Sequence, residues 1–324
     1  MVATDLAGNS SHDDSDDNFT VDSTPPNGTV AIAEGDYTNS RDVHLALDAP
    51  GDTTEMYLDG DLIDASNVRQ WTAYTTATTV TLTAGEGSKT TTVRYRDSAG
   101  HEGDLASDTV IYDATAPMIE DESPGDGSTI ITGTPVISAT LTGGMSGIDS
   151  TTIAMTVDGS LVVHAYDPGS GTVSYTPSPA LTNASHVVAI SVQDRAGNPV
   201  SETWDFSVNE PPASVLLTAN PTSILPDGIS TATVTATVRS ISGHFVADGT
   251  QVVFTTTMGT LAGGTFYATT THEGVATAVL TAPTTEGKAI ITAKAGDAEG
   301  MTEVLLTFQP YHVYLPLVIN VYLP

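Results

Sequence analysis

Short runs of alternating apolar and polar residues recur along the chain, and clusters of glycine, proline, aspartate and asparagine separate them. In residues 134–141, one face of the run carries Ile137, Ala139 and Leu141, and the other carries Ser138 and Thr140. A period of two residues is the pattern of a half-buried strand, and no segment keeps the 3.6-residue period of an amphipathic helix. The alternation therefore predicts an all-β protein built from many short strands.

A five-residue phrase recurs at intervals close to the length of one β-sandwich. It reads Asp-x-Ala-Gly-Asn or Asp-x-Ala-Gly-His at residues 5–9, 97–101 and 194–198, and a weaker copy lies at 294–297. A repeat of roughly 100 residues in a chain of short strands is typical of tandem immunoglobulin-like sandwiches. Glycine favours the positive φ of a turn and aspartate can cap the local backbone, so the phrase predicts a turn between two strands. Calcium ligation by the phrase is the alternative.

This repeat predicts the domain boundaries. Residues 1–24 hold the last strands of a partial domain, at 2–4 and 19–21, on either side of an acidic loop. Because the chain opens inside a domain, we expect it to be the C-terminal piece of a longer protein. Complete Ig-like domains follow at 25–115, 116–210 and 211–309, and an apolar strand or tail at 310–324. Prolines mark the joints at 24–26, 115–117 and 210–212 and restrict the backbone there, so we expect an extended rod with stiff joints.

Individual strands and hairpins are predicted within the complete domains. The strand candidates lie at 29–33, 43–47, 55–58, 79–83 and 91–96 in the first domain, and at 214–219, 231–238, 251–256, 275–281 and 289–293 in the third. Asp59-Gly60 and Asp158-Gly159 occupy corresponding positions in the first and second domains. Since Asp-Gly readily takes the positive φ of a two-residue turn, both pairs predict tight β-hairpins.

The composition excludes several classes of partner. Acidic residues outnumber basic ones 39 to 9, for a formal net charge of −30. Such a chain repels phosphate, which argues against nucleic-acid binding and disfavours anionic membrane surfaces. Cysteine is absent, which excludes disulfides and thiolate metal sites. No run of apolar residues reaches the roughly 18 residues that a membrane-spanning helix needs.

Five segments of the third domain carry a family resemblance. Residues 227–234, 248–254, 259–261, 274–280 and 289–293 resemble the bacterial Ig-like domains of invasin and intimin stalks, in that family's order and spacing. Residues 116–210 are similar to the Ig-like repeats of large bacterial surface proteins, through 123–128, 147–149, 157–159, 173–177 and the phrase at 194–198. Residues 25–115 share this frame more loosely, with His101 where the family has asparagine.

This resemblance implies a non-enzymatic, extracellular protein of the cell surface. It implies a stalk or filament subunit of an adhesin-like assembly, whose host or surface receptor the sequence does not name. It implies no catalytic residues, because these modules carry none.

Acidic clusters are candidate calcium sites. Asp13, Asp14, Asp16 and Asp17 lie in the N-terminal acidic loop, and Asp121 and Asp126 lie early in the second domain. Carboxylate oxygens are the ligands that calcium prefers, but the chain has no EF-hand loop. A solvated acidic surface accounts for the same residues, so both interpretations stay open. No other cofactor is expected.

The C-terminal tail is a candidate assembly segment. Residues 310–324 carry no formal charge and contain Val-Tyr-Leu-Pro twice, at 313–316 and 321–324. The tail either folds back on the third domain, serves as a sorting signal, or adds as a strand to the partial domain of another copy. That last contact does not close on itself and would build a homo-oligomer or filament. The assembly residues are Tyr311, Val313, Tyr314, Leu315, Leu317, Val318, Ile319, Val321, Tyr322 and Leu323.

The residue pattern argues against an enzyme. The eight histidines are scattered without a zinc-binding spacing, and Gly144-Met145-Ser146-Gly147 is interpreted as a loop rather than a nucleophile elbow. The alternative function is a carbohydrate-binding or accessory module array from a secreted polysaccharide-degrading enzyme. Trp71, Tyr74, Tyr166 and Trp204 could line its sugar-binding face, although we expect Trp204 to pack in a core.

Overall fold

A computed structural model describes residues 2–4, 6–8, 10–12 and 22–308 of the chain. These residues form strands β1 to β28 and contain no helix, which confirms the all-β prediction. The described part consequently holds no helix that could cross a membrane. Apart from one two-stranded hairpin, the strands belong to three pairs of sheets, which confirms the tandem Ig-like sandwiches.

Contacts along the chain define two compact units. The first holds residues up to 117 together with the segments 143–149 and 193–199. The second holds residues 118–142, 150–192 and those from 200 onward. The N-terminal hairpin and the first sandwich therefore lie in the first unit, and the third sandwich lies in the second.

An N-terminal hairpin contains a strand that was not predicted. Strand β1 (Val2–Thr4) pairs antiparallel with β2 (Ser10–His12), with Val2 opposite His12 and Thr4 opposite Ser10. The predicted strand at 2–4 is present, and the strand predicted at 19–21 stays a prediction. Gly8, at φ 81°, lets the chain reverse within the repeated phrase itself. Residues 13–21 lie outside the described part.

The first sandwich packs a three-stranded sheet, in the order β3-β5-β8, against a five-stranded sheet, in the order β4-β10-β9-β6-β7. Alternate residues of each strand are buried, as in β5, where Val43, Leu45 and Leu47 face the core. Tyr95 is fully buried there, and its hydroxyl donates to the Thr29 carbonyl at 2.6 Å. The strands are β3 (Thr29–Ile32), β4 (Tyr37–Thr38), β5 (Asp42–Asp48), β6 (Thr53–Gly60), β7 (Trp71–Ala73), β8 (Ala77–Thr81), β9 (Gly87–Asp97) and β10 (Ala106–Tyr112).

The two Asp-Gly pairs take different structures. Asp158 and Gly159, at φ 51° and 75°, form the predicted two-residue hairpin turn. The prediction is wrong for Asp59-Gly60, because strand β6 continues through Gly60 and pairs with Thr91. Gly60 has φ 111°, and a Cβ there would lie 2.2 Å from the carbonyl oxygen of Thr90. Glycine at this position therefore permits close strand approach rather than a tight turn.

The second sandwich has a four-stranded sheet, in the order β11-β13-β17-β16, and a five-stranded sheet, in the order β12-β19-β18-β14-β15. Trp204 is buried, as predicted, and Phe206 is buried as well; the Trp204 indole donates to the Pro124 carbonyl at 3.0 Å. The strands are β11 (Met118–Ser123), β12 (Ser128–Ile130), β13 (Ile137–Thr142), β14 (Ile148–Val157), β15 (Ser160–Leu161), β16 (Ala165–Asp167), β17 (Thr172–Tyr175), β18 (Ser185–Asp194) and β19 (Pro199–Val208).

The third sandwich repeats this plan, with sheets in the orders β20-β22-β26-β24 and β21-β28-β27-β23-β25. Its core is built from small and medium side chains around Phe254, including Val234, Leu261 and Ile291. The strands are β20 (Pro212–Asn220), β21 (Ser223–Ile224), β22 (Thr231–Ser240), β23 (Gln251–Thr256), β24 (Thr260–Leu261), β25 (Phe266–Thr270), β26 (Val275–Thr281), β27 (Gly287–Ala295) and β28 (Ala298–Leu306).

Candidate functional site

A carboxylate stands shortly before the proline of each linker between strands of successive domains. Asp22 precedes Pro25, Asp113 precedes Pro117, and Glu210 precedes Pro211. Asp113 and Glu210 are almost fully buried, at 0% and 3% exposure. A buried carboxylate needs hydrogen-bond donors to offset the loss of water, so the surroundings of these side chains show what each linker is attached to.

Asp113, in the first unit, follows the end of β10 and accepts hydrogen bonds from a loop far along the chain. The backbone N–H and the hydroxyl of Ser146 both donate to Asp113 Oδ2 at 2.7 Å. The N–H of Thr115 donates to Oδ1 at 3.1 Å. Gly144 lies so close that a Cβ would stand 3.1 Å from Oδ2. Residues 144–147 are therefore a loop, as interpreted from the sequence, and this loop contacts a linker carboxylate.

Electrostatics favour the charged form of Asp113. Burial by itself would raise the pKa of this carboxyl, but the hydrogen bonds from Ser146 and Thr115 outweigh burial and hold the pKa below its ordinary value. The backbone carbonyl of Asp113 is held as well, because Asn198 Nδ2 donates to it at 2.9 Å. The linker residue is thus bound through both its side chain and its main chain.

Glu210, in the second unit, makes the corresponding contacts between β19 and β20. Its Oε1 accepts from the Gly133 N–H and the Ser242 hydroxyl, both at 2.8 Å. Its Oε2 accepts from the Ser240 hydroxyl at 2.7 Å. Gly133 lies before β13 of the second sandwich, and both serines lie at and beyond the end of β22 of the third. One carboxylate therefore ties the two sandwiches together.

Two further contacts reinforce this linker. The N–H of Glu210 donates to Asn183 Oδ1 at 2.6 Å, and Asn183 Nδ2 donates to the Phe245 carbonyl at 2.9 Å. Burial would raise the pKa of Glu210, but the bonds from Ser240, Ser242 and Gly133 dominate and lower the pKa. Glu210 is consequently held as a buried carboxylate anion.

The repeated phrase forms a turn with the same hydrogen bonds in the first two sandwiches. Asp97 Oδ1 accepts from the His101 N–H at 2.9 Å, and Asp194 Oδ1 accepts from the Asn198 N–H at 2.8 Å. The second carboxylate oxygen pairs with the side chain, at 2.9 Å to His101 Nδ1 and at 2.7 Å to Asn198 Nδ2. The structure therefore places the phrase where the turn interpretation expected it.

The residues predicted as calcium ligands are only partly within the described chain. Asp13, Asp14, Asp16 and Asp17 lie outside it. Asp121 is exposed at an irregularity of β11, with φ 58°. Asp126 is exposed and accepts from the Asp205 N–H at 3.1 Å. Within residues 22–308, neither joins a group of three ligand side chains close enough to share one ion, and calcium binding stays a prediction.

The predicted assembly residues, Tyr311 to Leu323, also lie outside the described part, so the contact made by the tail stays a prediction. Three of the aromatic residues proposed for a sugar-binding face pack against other side chains or are buried. Tyr74 packs edge-on against Tyr95, Trp204 is buried, and Trp71 lies 4.2 Å below the guanidinium of Arg96. The carbohydrate-binding alternative stays a prediction.

Sequence reasoning missed the linker carboxylates. It attributed the stiffness of the joints to proline alone and treated Asp113 and Glu210 as two of the chain's many acids. One local signal was available, because Asp-x-Thr precedes the proline at both 22–24 and 113–115. In both copies the threonine N–H donates to the aspartate, at 3.0 Å in the first and 3.1 Å in the second.

One family model matches part of the chain. Residues 211–309 match the family model described as invasin, domain 3, which confirms the resemblance seen in the third domain. No curated protein sequence matches the chain. Solved structures that share features with it include an I-band fragment of titin, I67–I69, at 10% identity, covering 88% of this chain and 99% of that one with a TM-score of 0.49.

Two further solved structures come from adhesion proteins. The D00-D0 domain of intimin is 19% identical, covers 59% of this chain and 100% of that one, and has a TM-score of 0.37. A tetra-tandem repeat in the extending region of a large adhesion protein is 18% identical, covers 94% of this chain and 80% of that one, and has a TM-score of 0.39. At these identities and TM-scores, none of the three structures bears on the function of this chain.

Proposed function

We propose that this chain is a non-enzymatic, extracellular segment of a bacterial surface stalk, in which successive Ig-like sandwiches hold a distance. The match of residues 211–309 to invasin, domain 3, carries the proposal. The surface location and the adhesin role are inferred from this family, and the proposal names no receptor.

The linkers support a mechanical role. Bending at residue 210 would pull Glu210 away from Gly133, Ser240 and Ser242 and leave buried polar groups without partners. An unpaired buried donor costs about 1–3 kcal/mol, and a charged group costs more. A linker held in this way resists bending, which is what a spacer requires.

Electron microscopy of the purified chain tests the stalk proposal. A row of three sandwiches with stiff joints should appear as a rod of ~35–45 Å per module, from a strand rise of ~3.3 Å per residue with allowance for loops. Particles of one length with a narrow distribution of bend angles are expected. Compact particles, or sandwiches hinged freely in all directions, would contradict a spacer.

The finer part of the proposal is head-to-tail polymerisation, with the apolar tail of one copy added as a strand to the N-terminal hairpin of the next. Its support is the uncharged sequence of residues 310–324 and the two-stranded β1–β2 sheet. An isolated two-stranded hairpin is marginally stable in water and gains from a third strand. Calcium bound by the acidic loop is a further element of this proposal.

A truncation separates the two parts. Full-length chain and a variant lacking residues 311–324 are imaged with and without calcium. Filaments that form only from the full-length chain support strand donation, and calcium dependence of filament or rod shape supports the calcium sites. Filaments from both variants, or from neither, refute donation by the tail, and single rods in every condition leave the stalk proposal standing.

A further inference from the structure

The turn at residues 97–101 gathers two carboxylates and an imidazole. Asp22, Asp97 and His101 each offer one ligand atom, and these atoms all lie within 4.8 Å of one another. They form the one such three-residue group in the described ranges of the chain. All three belong to the first unit. We propose that this group binds a transition-metal dication of the Zn²⁺ type, which fastens the linker at Asp22 to the turn at 97–101.

The second sandwich shows which contact a cation could supply in the first. There, Asn198 Nδ2 has two protons and donates both to Asp194 Oδ2 and to the Asp113 carbonyl. In the first sandwich His101 replaces the asparagine, and a carboxylate, Asp22, stands nearby. A neutral imidazole carries one N–H, which serves a single acceptor. The exposed Asp22 carboxylate accepts from the Thr24 N–H at 3.0 Å and has room for a further positive partner.

The burial of Asp97 and the repulsion between two carboxylates both favour a bound cation. The Asp97 side chain is only 1% exposed, and a second carboxylate within 4.8 Å repels it. A dication would offset both carboxylate charges at one point.

The mixture of nitrogen and oxygen ligands favours one class of ion. Zinc binds histidine nitrogen and carboxylate oxygen at about 2.0–2.2 Å in tetrahedral geometry, so two of its ligand atoms lie about 3.3–3.6 Å apart. His101 Nδ1 and Asp97 Oδ2 are now 2.9 Å apart, at hydrogen-bond distance, so a bound zinc ion would replace this hydrogen bond and leave the imidazole proton on Nε2. Calcium prefers six to eight oxygen ligands, whereas this group offers one nitrogen and two carboxylates. Water would complete the coordination of the smaller ion.

The linker already lies against this turn. The Asp104 N–H donates to Asn27 Oδ1 at 2.6 Å. A Cβ at Gly103 would stand 2.1 Å from the Pro26 carbonyl oxygen. The backbone that follows Asp22 is therefore held beside this turn without the ion.

Calorimetric titration of the untagged full-length chain with ZnCl₂ tests the proposal. Excess MgCl₂ is included so that sites made of carboxylates alone are occupied. Wild type should bind one equivalent of Zn²⁺ that H101N and D22N lose or bind at least about tenfold more weakly, the loss typical for a damaged metal site. H101N recreates the arrangement of Asn198, so its melting temperature without metal should stay close to that of wild type.

A matched control comes from a histidine–carboxylate pair without a third ligand in the group. His272 Nδ1 and Asp248 Oδ2 lie 2.8 Å apart, and H272N should bind Zn²⁺ like wild type. Absence of Zn²⁺ binding by wild type would overturn the proposal. Binding by H101N equal to that of wild type, or an equal loss in H272N, would overturn it as well.

Discussion

Replacing Glu210 with alanine should destabilise the second sandwich strongly, although the side chain belongs to a linker. The carboxylate is 3% exposed and accepts three hydrogen bonds of 2.7–2.8 Å. The alanine variant leaves the Gly133 N–H without its acceptor and frees two serine hydroxyls. We therefore expect a large effect from a residue that contributes nothing to a hydrophobic core.

Its magnitude follows from the number and kind of these bonds. A hydrogen bond to a charged group contributes about 1.5–3 kcal/mol, and serine hydroxyls can rotate to find other partners, so the three losses do not simply add. We expect E210A to lower the free energy of unfolding by about 3–5 kcal/mol. E210Q keeps one acceptor oxygen and loses only the charge assistance, so it should cost about 1–2 kcal/mol.

The assay measures the fluorescence of a single tryptophan during unfolding in urea. The chain has two, and Trp204 lies in the core of the second sandwich. In a W71F background its fluorescence reports urea unfolding of that sandwich alone. E202A is the matched control, because Glu202 is an exposed carboxylate on β19 and should change stability by no more than about 0.5 kcal/mol.

One result would refute the reasoning. If E210A shifted the Trp204 unfolding transition no more than E202A does, the linker carboxylate would not contribute to the stability of the second sandwich. Equal losses in E210A and E210Q would show that charge, rather than the acceptor atoms, accounts for the effect.

Three further outcomes are expected. G60A should lose about 2–4 kcal/mol, measured by thermal unfolding, because its Cβ would lie 2.2 Å from a backbone oxygen at φ 111°; G51A, in open space, should be nearly neutral. S146A should cost about 1.5–3 kcal/mol, since it removes one of the bonds to buried Asp113. The lowered pKa values of Asp113 and Glu210 stabilise the fold above their unfolded values of about 4 and lose that contribution as the pH falls through the folded values. The free energy of unfolding, measured with urea, should therefore fall between pH 7 and pH 3. E210Q should make this dependence on pH shallower.

Local sequence patterns predicted most strands closely. The predicted strands at 251–256 and 275–281 have the observed bounds of β23 and β26. The strands predicted at 43–47 and 289–293 are extended in the structure, to Asp42–Asp48 and Gly287–Ala295. Alternation predicts these elements because side chains of a strand point to opposite faces in turn, which is a property of neighbouring residues.

Turns were predicted less accurately than strands, because an Asp-Gly pair can either reverse the chain or lie within a strand. Asp158-Gly159 makes a tight hairpin, whereas Gly60 of the matching pair lies inside β6 beside Thr90. Both pairs need a positive φ at glycine, and the sequence indicates this need equally in both. At Gly60 the chain continues as a strand because β9 lies alongside, with Thr91 opposite the glycine.

The sequence by itself determined the all-β class, the repeat of roughly 100 residues and the relation of residues 211–309 to invasin, domain 3. Only the tertiary structure decided which of the 39 acidic residues are buried at linkers. Asp113 meets Ser146, 33 positions along the chain, and Glu210 meets Gly133, 77 positions away. Strand alternation is written into adjacent residues, but the solvation of a carboxylate depends on the donors that distant segments bring to it once the sandwiches have formed.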